Sequence, residues 1–277
     1  MIGRLFWFIT LLASLILLIF LEAIAKWPAE YEFKKQILSY LILTFFTSCW
    51  GKLNNPDFEF KTFLKMIFLV PLRKQWMIRI SFSYLIRIKV DDYYLLVRNG
   101  KKDEVNLTNK FQPVGGVYKM LSHKDIEKKF NLIDDIMKES PPDDLRKRLK
   151  NPFKIFKLLK WFHDKEGIEV APFREFYEEV VKTNILPSDL FSNSLFHNVG
   201  LKKSQIVWSP WNKIYEYKIF EIYDLHMDES QLKFLRELKN NPHEDIIFLR
   251  RDDILKFSGI ETPWGFGITD HSTRILE

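Results

Sequence analysis

Arg174 and three glutamates lie close together in a segment that follows Pro172. If this segment is helical, Glu175 lies three and four residues before Glu178 and Glu179, so the three carboxylates converge on one side. Like charges placed in this way repel one another, and a cation relieves that repulsion. Hard divalent ions such as Mg²⁺ take carboxylate oxygens as ligands. The spacing is therefore compatible with a Mg²⁺ site, although the residues alone favour a solvated acidic helix face.

Other residues have side chains suited to binding a nucleotide. A strand-like stretch at residues 111–118 contains the pair Gly115-Gly116, and Lys119 follows it. Basic side chains bind phosphates, and aromatic rings stack on bases. By residue type, the candidates for these roles are Lys119, Arg250, Arg251, Trp208, Trp211, Tyr215 and Tyr217. Aromatic residues at this spacing are more often core residues than ligand contacts.

Composition excludes some kinds of site and leaves others open. The single Cys49 excludes an internal disulfide and a cysteine-rich zinc site. The six histidines form no HxxxH or HExxH pattern. A net charge of +6 fits a domain held near anionic lipid or one that binds a phosphate-rich ligand, and it does not choose between them.

The elements that position these residues begin with a strand. Apolar residues alternate over residues 78–90 and predict a long, half-buried β-strand. After a turn at Asp91-Asp92, residues 93–97 predict a central strand that is apolar on both faces. Helical spacing at residues 125–137 and an amphipathic helix beginning at Pro152 indicate an elaboration within residues 120–165.

The second half of the domain contains further elements. In the helix after Pro172, one face is expected to hold Phe173, Phe176, Tyr177 and Val180. Residues 206–208, 214–223 and 245–249 predict strands, and residues 228–238 predict a helix. Together these elements predict an α/β domain.

The N-terminal residues predict a membrane anchor. Residues 5–25 are mostly apolar and about 21 residues long, enough to span a hydrocarbon core of about 30 Å. A shorter apolar run covers residues 37–50, and residues 63–72 predict an interfacial helix. A cleavable signal peptide and a buried core helix at residues 37–50 are the alternatives. Basic residues are more numerous after the second run than between the runs, which places the following domain in the cytoplasm.

The order of strand, turn, strand, glycine pair and Arg-Glu-x-x-Glu-Glu resembles the Nudix fold. The Nudix box is G-x5-E-x7-R-E-U-x-E-E-x-G-U, where U is bulky and aliphatic. Arg174, Glu175, Glu178 and Glu179 match its second half, and Glu166 stands eight residues before Arg174.

Three positions depart from the Nudix box. Gly116 best matches its first glycine but is followed by a long insertion, Phe176 takes the aliphatic position, and Val181 replaces the later glycine. Family members with the full box bind Mg²⁺ through the glutamates and cleave nucleoside diphosphates linked to another moiety. Because the glycine loop is interrupted here, the resemblance favours nucleotide binding over hydrolysis.

The whole chain resembles a more specific group. The Phe-Gln-Pro-Val-Gly-Gly-Val-Tyr-Lys stretch at residues 111–119, residues 174–179 and the Ile-Thr-Asp-His-Ser stretch at residues 268–272 carry this resemblance. With the N-terminal hairpin, they are similar to bacterial CD-NTase-associated (CBASS) effectors with two transmembrane helices and a Nudix-like domain. The implied fold is a transmembrane helical hairpin (residues 1–55), an interfacial linker helix (56–77) and a Nudix-like α/β/α sandwich with a mixed sheet (78–277). A helical insertion is expected at about residues 120–165.

The resemblance implies an effector of cyclic-oligonucleotide-based anti-phage defence. A cyclic di- or trinucleotide is expected to bind near Gly115, Gly116, Lys119 and Arg174. The transmembrane helices then assemble into a homo-oligomer and disrupt the bacterial inner membrane, with the Nudix-like domain in the cytoplasm. Membrane lipid is the other expected partner, DNA and RNA are not expected, and no cofactor is required.

Two alternatives remain open from the sequence. The first is a membrane-tethered, Mg²⁺-dependent Nudix nucleotide pyrophosphohydrolase, in which Glu175, Glu178 and Glu179 are both the metal ligands and the catalytic residues. The second is a structural membrane anchor whose degenerate domain binds only a protein partner.

Overall fold

A computed structural model describes residues 77–99, 109–135, 141–169, 172–204, 206–210 and 212–276. The expected hairpin and all but one residue of the expected linker helix lie outside these ranges. Among the residues that the structure describes, no helix is both long enough and apolar enough to cross a membrane.

The strands form two larger mixed sheets and one small antiparallel pair. Their bounds are β1 Ile78–Arg87, β2 Lys89–Val90, β3 Tyr93–Arg98, β4 Lys110–Gln112, β5 Val114–Val117, β6 Lys119–Met120, β7 Leu132–Asp134, β8 Arg146–Leu149, β9 Ile168–Glu169, β10 Leu195–Lys203, β11 Val207–Ser209, β12 Ile214–His226, β13 Ile246–Arg250 and β14 Gly267–Ile268.

The larger sheet has the order β10-β12-β1-β8-β7, with β11 paired to β12 and β5 paired to β1. The second has the order β13-β3-β4-β14, with β2 paired to β3, and β6 pairs with β9. Strands β1 and β12 are parallel, whereas β5 and β8 run antiparallel to β1. The expected mixed-sheet α/β fold is therefore confirmed, and it is distributed over two larger sheets.

Six α-helices accompany these sheets among the described residues. They are α1 His123–Phe130, α2 Ile155–Asp164, α3 Pro172–Phe176, α4 Ser188–Phe191, α5 Glu229–Asn240 and α6 Arg251–Phe257. A 3₁₀ turn at Pro152–Lys154 leads into α2, a π-helical turn at Tyr177–Val181 continues α3, and a 3₁₀ helix at Asp270–Ile275 follows β14.

Strand β1 is the centre of the larger sheet, and it is buried on both faces. The prediction of a strand beginning at Ile78 is confirmed, but the expectation that it is half-buried is wrong. Arg79, Ser81 and Arg87 on its polar side are only 6–7% exposed. Pairing with β12, β5 and β8 and cover on both faces bury the polar side chains as well as the apolar ones.

The expected helix at residues 125–137 ends early. Helix α1 stops at Phe130 because Asn131 adopts a left-handed conformation with φ of 61°, which asparagine tolerates at a helix end. Residues Leu132–Asp134 then form β7, which pairs with β8, and β8 pairs with β1. Part of the segment at residues 120–165 therefore extends the main sheet.

The apolar face of β1, which holds Phe82 and Tyr84, packs against α1 and α2. In this cluster the ring of Phe82 lies 4.3 Å from that of Phe162, and Tyr84 meets Tyr118 edge to face at 5.1 Å. A second cluster places α3 to α5 against the end of β1 and against β3. A third lies under α6 and the C-terminal 3₁₀ helix.

The later elements that were predicted agree with the structure, but strands β10 and β14 and helices α4 and α6 were not predicted. Strand β12 and strand β13 form where expected, and α5 begins with a capping box in which Asp228 and Gln231 bond each other's backbone N–H. Strand β10 was not expected from the sequence. It lies at the edge of the larger sheet and is mostly exposed, so its side chains lack the alternation that marks a half-buried strand.

The apolar face predicted after Pro172 is only partly correct. Phe176 and Val180 are buried, but Phe173 and Tyr177 are 36% and 40% exposed. The π-helical turn widens the helix at residues 177–181, which changes the side-chain positions and buries Val181 instead.

Candidate functional site

The polar face of β1 forms the floor of a cavity of about 630 Å³. Ser81 pairs with Arg146 of β8 on one side and with Lys218 of β12 on the other. Side chains at paired positions of neighbouring strands point to the same side of the sheet. Arg146, Ser81 and Lys218 therefore form a row across three strands, and all three line the cavity.

An ion-pair cluster closes the floor on one side of this row. The guanidinium of Arg79 donates to Asp135 at 2.7 Å and to Glu216 at 3.1 Å. All three side chains are at most 7% exposed. Asn212 also donates to Glu216. The charge of Arg79 is thus neutralised within the protein, and this part of the floor is fixed by side-chain bonds.

Aromatic rings lie on the other side of the row. Ser83 pairs with Phe220, whose ring stacks on that of His271 at 6.0 Å with an angle of 9° between the planes. His271 is held by its neighbour Asp270, and a hydrogen bond from His271 lowers the pKa of Asp270 to about 2. Strand β14 brings this terminal segment beside β4, where Ile268 pairs with Phe111.

A glycine pair allows helix α3 to approach the cavity closely. A Cβ atom on Gly115 would lie 2.2 Å from the carbonyl oxygen of Tyr84. A Cβ atom on Gly116 would lie 2.4 Å from Cγ of Glu175. A side chain at Gly115 would therefore clash with the backbone of β1, whereas one at Gly116 would displace the Glu175 side chain, so Gly116 is the position that lets α3 lie close to β5.

Glu179 lies in the π-helical turn that follows α3, and its side chain contacts β5. The Gly115 N–H donates to its Oε2 at 3.2 Å. Burial raises the pKa of Glu179 to about 8, and repulsion from Glu175 and Glu178 adds to this effect, while the Gly115 hydrogen bond opposes it. Glu179 is therefore mostly protonated at neutral pH.

The Arg174 guanidinium lies among three other carboxylates. Its Nη1 lies 2.6 Å from Glu175 and 3.7 Å from Glu178, and its Nε lies 3.8 Å from Glu169. The Nε atom is buried and has no hydrogen-bond partner among the described residues. Burial raises the pKa of Glu175, and the charge of Arg174 opposes that rise.

The three glutamates are not arranged as a metal-binding set. Glu175 bonds Arg174, Glu179 bonds the backbone of β5, and the Glu178 side chain is 52% exposed. No group of three or more His, Cys, Asp or Glu side chains placed to hold a metal ion occurs within the described ranges. The three carboxylates lie near one another, since Glu175 and Glu178 repel Glu179, but Glu175 faces Arg174 and Glu179 faces the backbone of β5, so they do not converge on one point. This arrangement does not fit a resident Mg²⁺ ion.

Residues 77–276 match the family described as the SMODS-associated NUDIX domain. The chain belongs to this family. The domain is found in CBASS-like effectors and indicates an SMODS-associated effector in defence signalling. No curated protein and no solved structure matches the chain.

In this NUDIX domain, the structure brings most of the sequence-predicted site residues together. Gly115, Gly116, Lys119, Arg174, Glu175 and Glu179 all line the cavity. The Lys119 side chain lies 3.6 Å from Asp143. Glu166, which matches the box by spacing, is exposed and lines a separate groove with Lys157 and Lys160.

The other candidates lie elsewhere. Tyr215 and Tyr217 are buried in the core, and Trp208 packs against Tyr215, so these three aromatic residues are structural. Arg250 covers the ring of Tyr93 and donates to its hydroxyl. Arg251 is exposed at the start of α6, and Trp211 lies outside the described residues.

Several cavity residues were missed from the sequence. Ser81 and Ser83 on the floor, with Arg146, Lys218 and Phe220 on the neighbouring strands, were not among the candidates. The alternation in β1 contained a signal, since Arg79, Ser81 and Ser83 are the polar positions of the predicted strand. The strands that pair with β1 could not be identified from that pattern.

Proposed function

We propose that this chain is the effector of a cyclic-oligonucleotide-based anti-phage system and that its NUDIX domain binds a cyclic di- or trinucleotide in the cavity on β1. The observation that carries the proposal is the charge of this cavity. Besides Arg79, whose charge is neutralised by Asp135 and Glu216, it is lined by four cationic side chains and three acidic ones, Lys119, Arg146, Arg174 and Lys218 against Asp144, Glu175 and Glu179. Because Glu179 is mostly protonated at neutral pH, the balance favours an anionic ligand.

The cavity also suits the other parts of a nucleotide. Its volume lies within the range usual for small-molecule sites. The His271 ring, which stacks on the buried Phe220 and whose side chain is 27% exposed, offers an aromatic surface to a base. Asn99 and Gln112 supply amides that both donate and accept hydrogen bonds.

In the proposed mechanism, ligand binding acts on the N-terminal apolar segments. A ligand that bridges or orders NUDIX domains raises the effective concentration of the segments attached to them. Those segments then form the homo-oligomer that disrupts the inner membrane, while the NUDIX domain stays in the cytoplasm. Their length and flanking charges support this step.

The proposal is tested by titrating the full-length chain in detergent with cyclic di-AMP, cyclic di-GMP, cyclic GMP-AMP and cyclic tri-AMP in a calorimeter. We expect at least one to bind, and we expect Lys119→Glu to weaken it roughly tenfold because a cavity charge is reversed. Lys157→Glu makes the same change outside the cavity and is expected to leave affinity unchanged. Liposomes containing the chain should leak only when the binding nucleotide is added.

Two outcomes would overturn the proposal. One is the failure of every cyclic nucleotide to bind. The other is leakage that does not depend on ligand.

The Arg-Glu-x-x-Glu-Glu segment favours a second candidate, a membrane-tethered Mg²⁺-dependent nucleotide pyrophosphohydrolase. It requires Glu175, Glu178 and Glu179 to bind the ion, and Arg174 opposes this by pairing with Glu175. If this candidate is correct, a panel of nucleoside diphosphate derivatives is hydrolysed with Mg²⁺, and the double substitution Glu178→Gln, Glu179→Gln abolishes turnover. Undetectable turnover of the whole panel by the parent chain would exclude it.

A further inference from the structure

The row of Arg146, Ser81 and Lys218 places two cations on either side of a hydroxyl. Neighbouring strands lie about 4.8 Å apart, so the Cα atoms of Arg146 and Lys218 are roughly 10 Å apart with Ser81 between them. The Ser81 hydroxyl lies 3.2 Å from that of Ser83, the next residue on the same face. Two long cationic side chains and two hydroxyls therefore face the cavity from one small area of floor.

Arg146 differs from the other arginines of the cavity because its charge is not satisfied. Its side chain makes no hydrogen bond or ion pair with any residue that the structure describes, whereas the side chain of Arg79 is held by Asp135 and Glu216. Burial lowers the pKa of Arg146, and repulsion from Arg79 lowers it further, with Asp144 opposing both. A half-buried cation without a partner is unfavourable. An anion bound at this position would relieve that cost.

Lys218 has a partner but keeps donors for a ligand. Its Nζ lies 3.3 Å from Glu216, which is also bonded by Arg79 and Asn212. An ammonium group has three N–H donors, so one contact leaves capacity for an anion. On Arg146, the guanidinium has five N–H donors in a planar fork that matches a phosphate.

We propose that Arg146, Ser81 and Lys218 form a phosphate subsite for the ligand of the NUDIX domain. This assignment rests on the proposed function, because it names the part of the cavity that holds a phosphodiester of the cyclic nucleotide. Phe220 is two residues beyond Lys218 on β12, a separation of roughly 7 Å. A base attached to the bound phosphodiester can therefore reach the aromatic surface.

The subsite has a consequence for hydrolysis. It lies on the strands of the floor, whereas the Arg-Glu-x-x-Glu-Glu residues lie on α3 and the π-helical turn that follows it. The guanidinium of Arg174 already faces Glu175, Glu178 and Glu169. A phosphate held by Arg146 and Lys218 is bound by residues outside the Nudix-box segment, as expected for a ligand that is sensed and not cleaved.

The test measures the binding of inorganic pyrophosphate and of the cyclic nucleotide panel to the full-length chain in detergent, by calorimetry. Arg146→Gln should weaken pyrophosphate binding at least tenfold, because it removes the charge-assisted hydrogen bonds that a guanidinium donates to a phosphate. Lys218→Gln should also weaken it, and Arg146→Lys should retain part of the affinity because it keeps the charge. Ser81→Ala should cause a smaller loss.

Arg148→Gln is the matched control. Arg148 lies two residues along β8, and its Nε donates to the backbone oxygen of Asp134 at 2.8 Å, away from the cavity lining. We expect its pyrophosphate affinity to stay within about twofold of the parent, because the Arg148 guanidinium is bonded to Asp134 and does not line the cavity. Thermal unfolding of each variant verifies that it is folded.

The outcomes separate the subsite from the proposed function. If pyrophosphate binding depends on Arg146 and no cyclic nucleotide binds, the subsite stands and the proposed function fails. If a cyclic nucleotide binds the parent and Arg146→Gln equally, the function stands and the subsite is wrong. Equal losses in Arg146→Gln and Arg148→Gln would also overturn the subsite, because they would indicate general charge attraction.

Discussion

Glu179 is a carboxyl group that folding keeps protonated, and this has a measurable effect on stability. Its pKa is about 8 in the folded chain, whereas an unfolded glutamate ionises near its ordinary value of about 4.3. Between these values the folded state binds the extra proton, so stability falls as pH rises and the loss is complete above the folded pKa. Between about pH 6 and about pH 9, the free energy of unfolding should fall by roughly 2–3 kcal/mol because of this group. Glu179→Gln should remove that part of the pH dependence, as measured by urea unfolding at both pH values.

Glu178→Gln is the control for this measurement. Glu178 is one residue away and its side chain is 52% exposed. Its substitution should change the stability difference between the two pH values by less than about 0.5 kcal/mol, as is usual for exposed positions. An unchanged pH dependence in Glu179→Gln would show that the carboxyl of Glu179 is ionised in the folded chain.

At the scale of elements, the packing of β5 depends on two glycines, one against β1 and one against α3, that tolerate substitution differently. Gly115→Ala places a Cβ 2.2 Å from the backbone oxygen of Tyr84, in the central strand, which cannot move aside. Gly116→Ala meets the side chain of Glu175 at 2.4 Å. We expect the free energy of unfolding, measured by chemical denaturation, to fall by more than about 3 kcal/mol in Gly115→Ala. In Gly116→Ala it should fall by about 1–3 kcal/mol.

A double-mutant cycle makes this comparison decisive. Glu175→Ala removes the atoms that the new Cβ of Gly116→Ala would meet, so the double variant should recover most of the lost stability. The same Glu175→Ala substitution should give no recovery to Gly115→Ala. Recovery in both double variants, or in neither, would contradict the packing described for β5 and α3.

The same elements show how much could be predicted from the sequence. The period-two pattern beginning at Ile78 correctly predicted β1, since alternation is a local property of the chain. Burial of its polar face depends on β8 and β12, and the sequence does not give their register with β1. For this reason Arg146 and Lys218 were missed as cavity residues, although Gly115, Gly116, Lys119 and Arg174 were placed there through resemblance. The helix expected to reach residue 137 failed because the left-handed Asn131 outweighed apolar spacing.

At the scale of the whole molecule, β10 is the element of the NUDIX domain best placed to join two copies. It is a nine-residue edge strand with Leu195, Val199 and Leu201 exposed by 67%, 45% and 37%. An exposed apolar edge presents free backbone groups that a second strand can pair with, and a strand can pair with its own copy in antiparallel orientation. Because the proposed mechanism requires copies to assemble on ligand binding, we expect this edge to contribute. Leu195→Lys with Val199→Lys should weaken ligand-dependent self-association at least tenfold, or about 1.4 kcal/mol, in sedimentation measurements.

The control for β10 is a lysine at an equally exposed apolar position on another element. Leu255 of α6 is 52% exposed, so Leu255→Lys adds the same type of charge away from the sheet edge. Its self-association should match that of the parent, and both variants should retain the ligand affinity of the parent because none of these residues lines the cavity. Equal effects of the two variants would assign the loss to general charge repulsion. A β10 variant that assembles as well as the parent would show that copies meet through another part of the chain, and the N-terminal apolar segments would then have to supply the whole assembly energy.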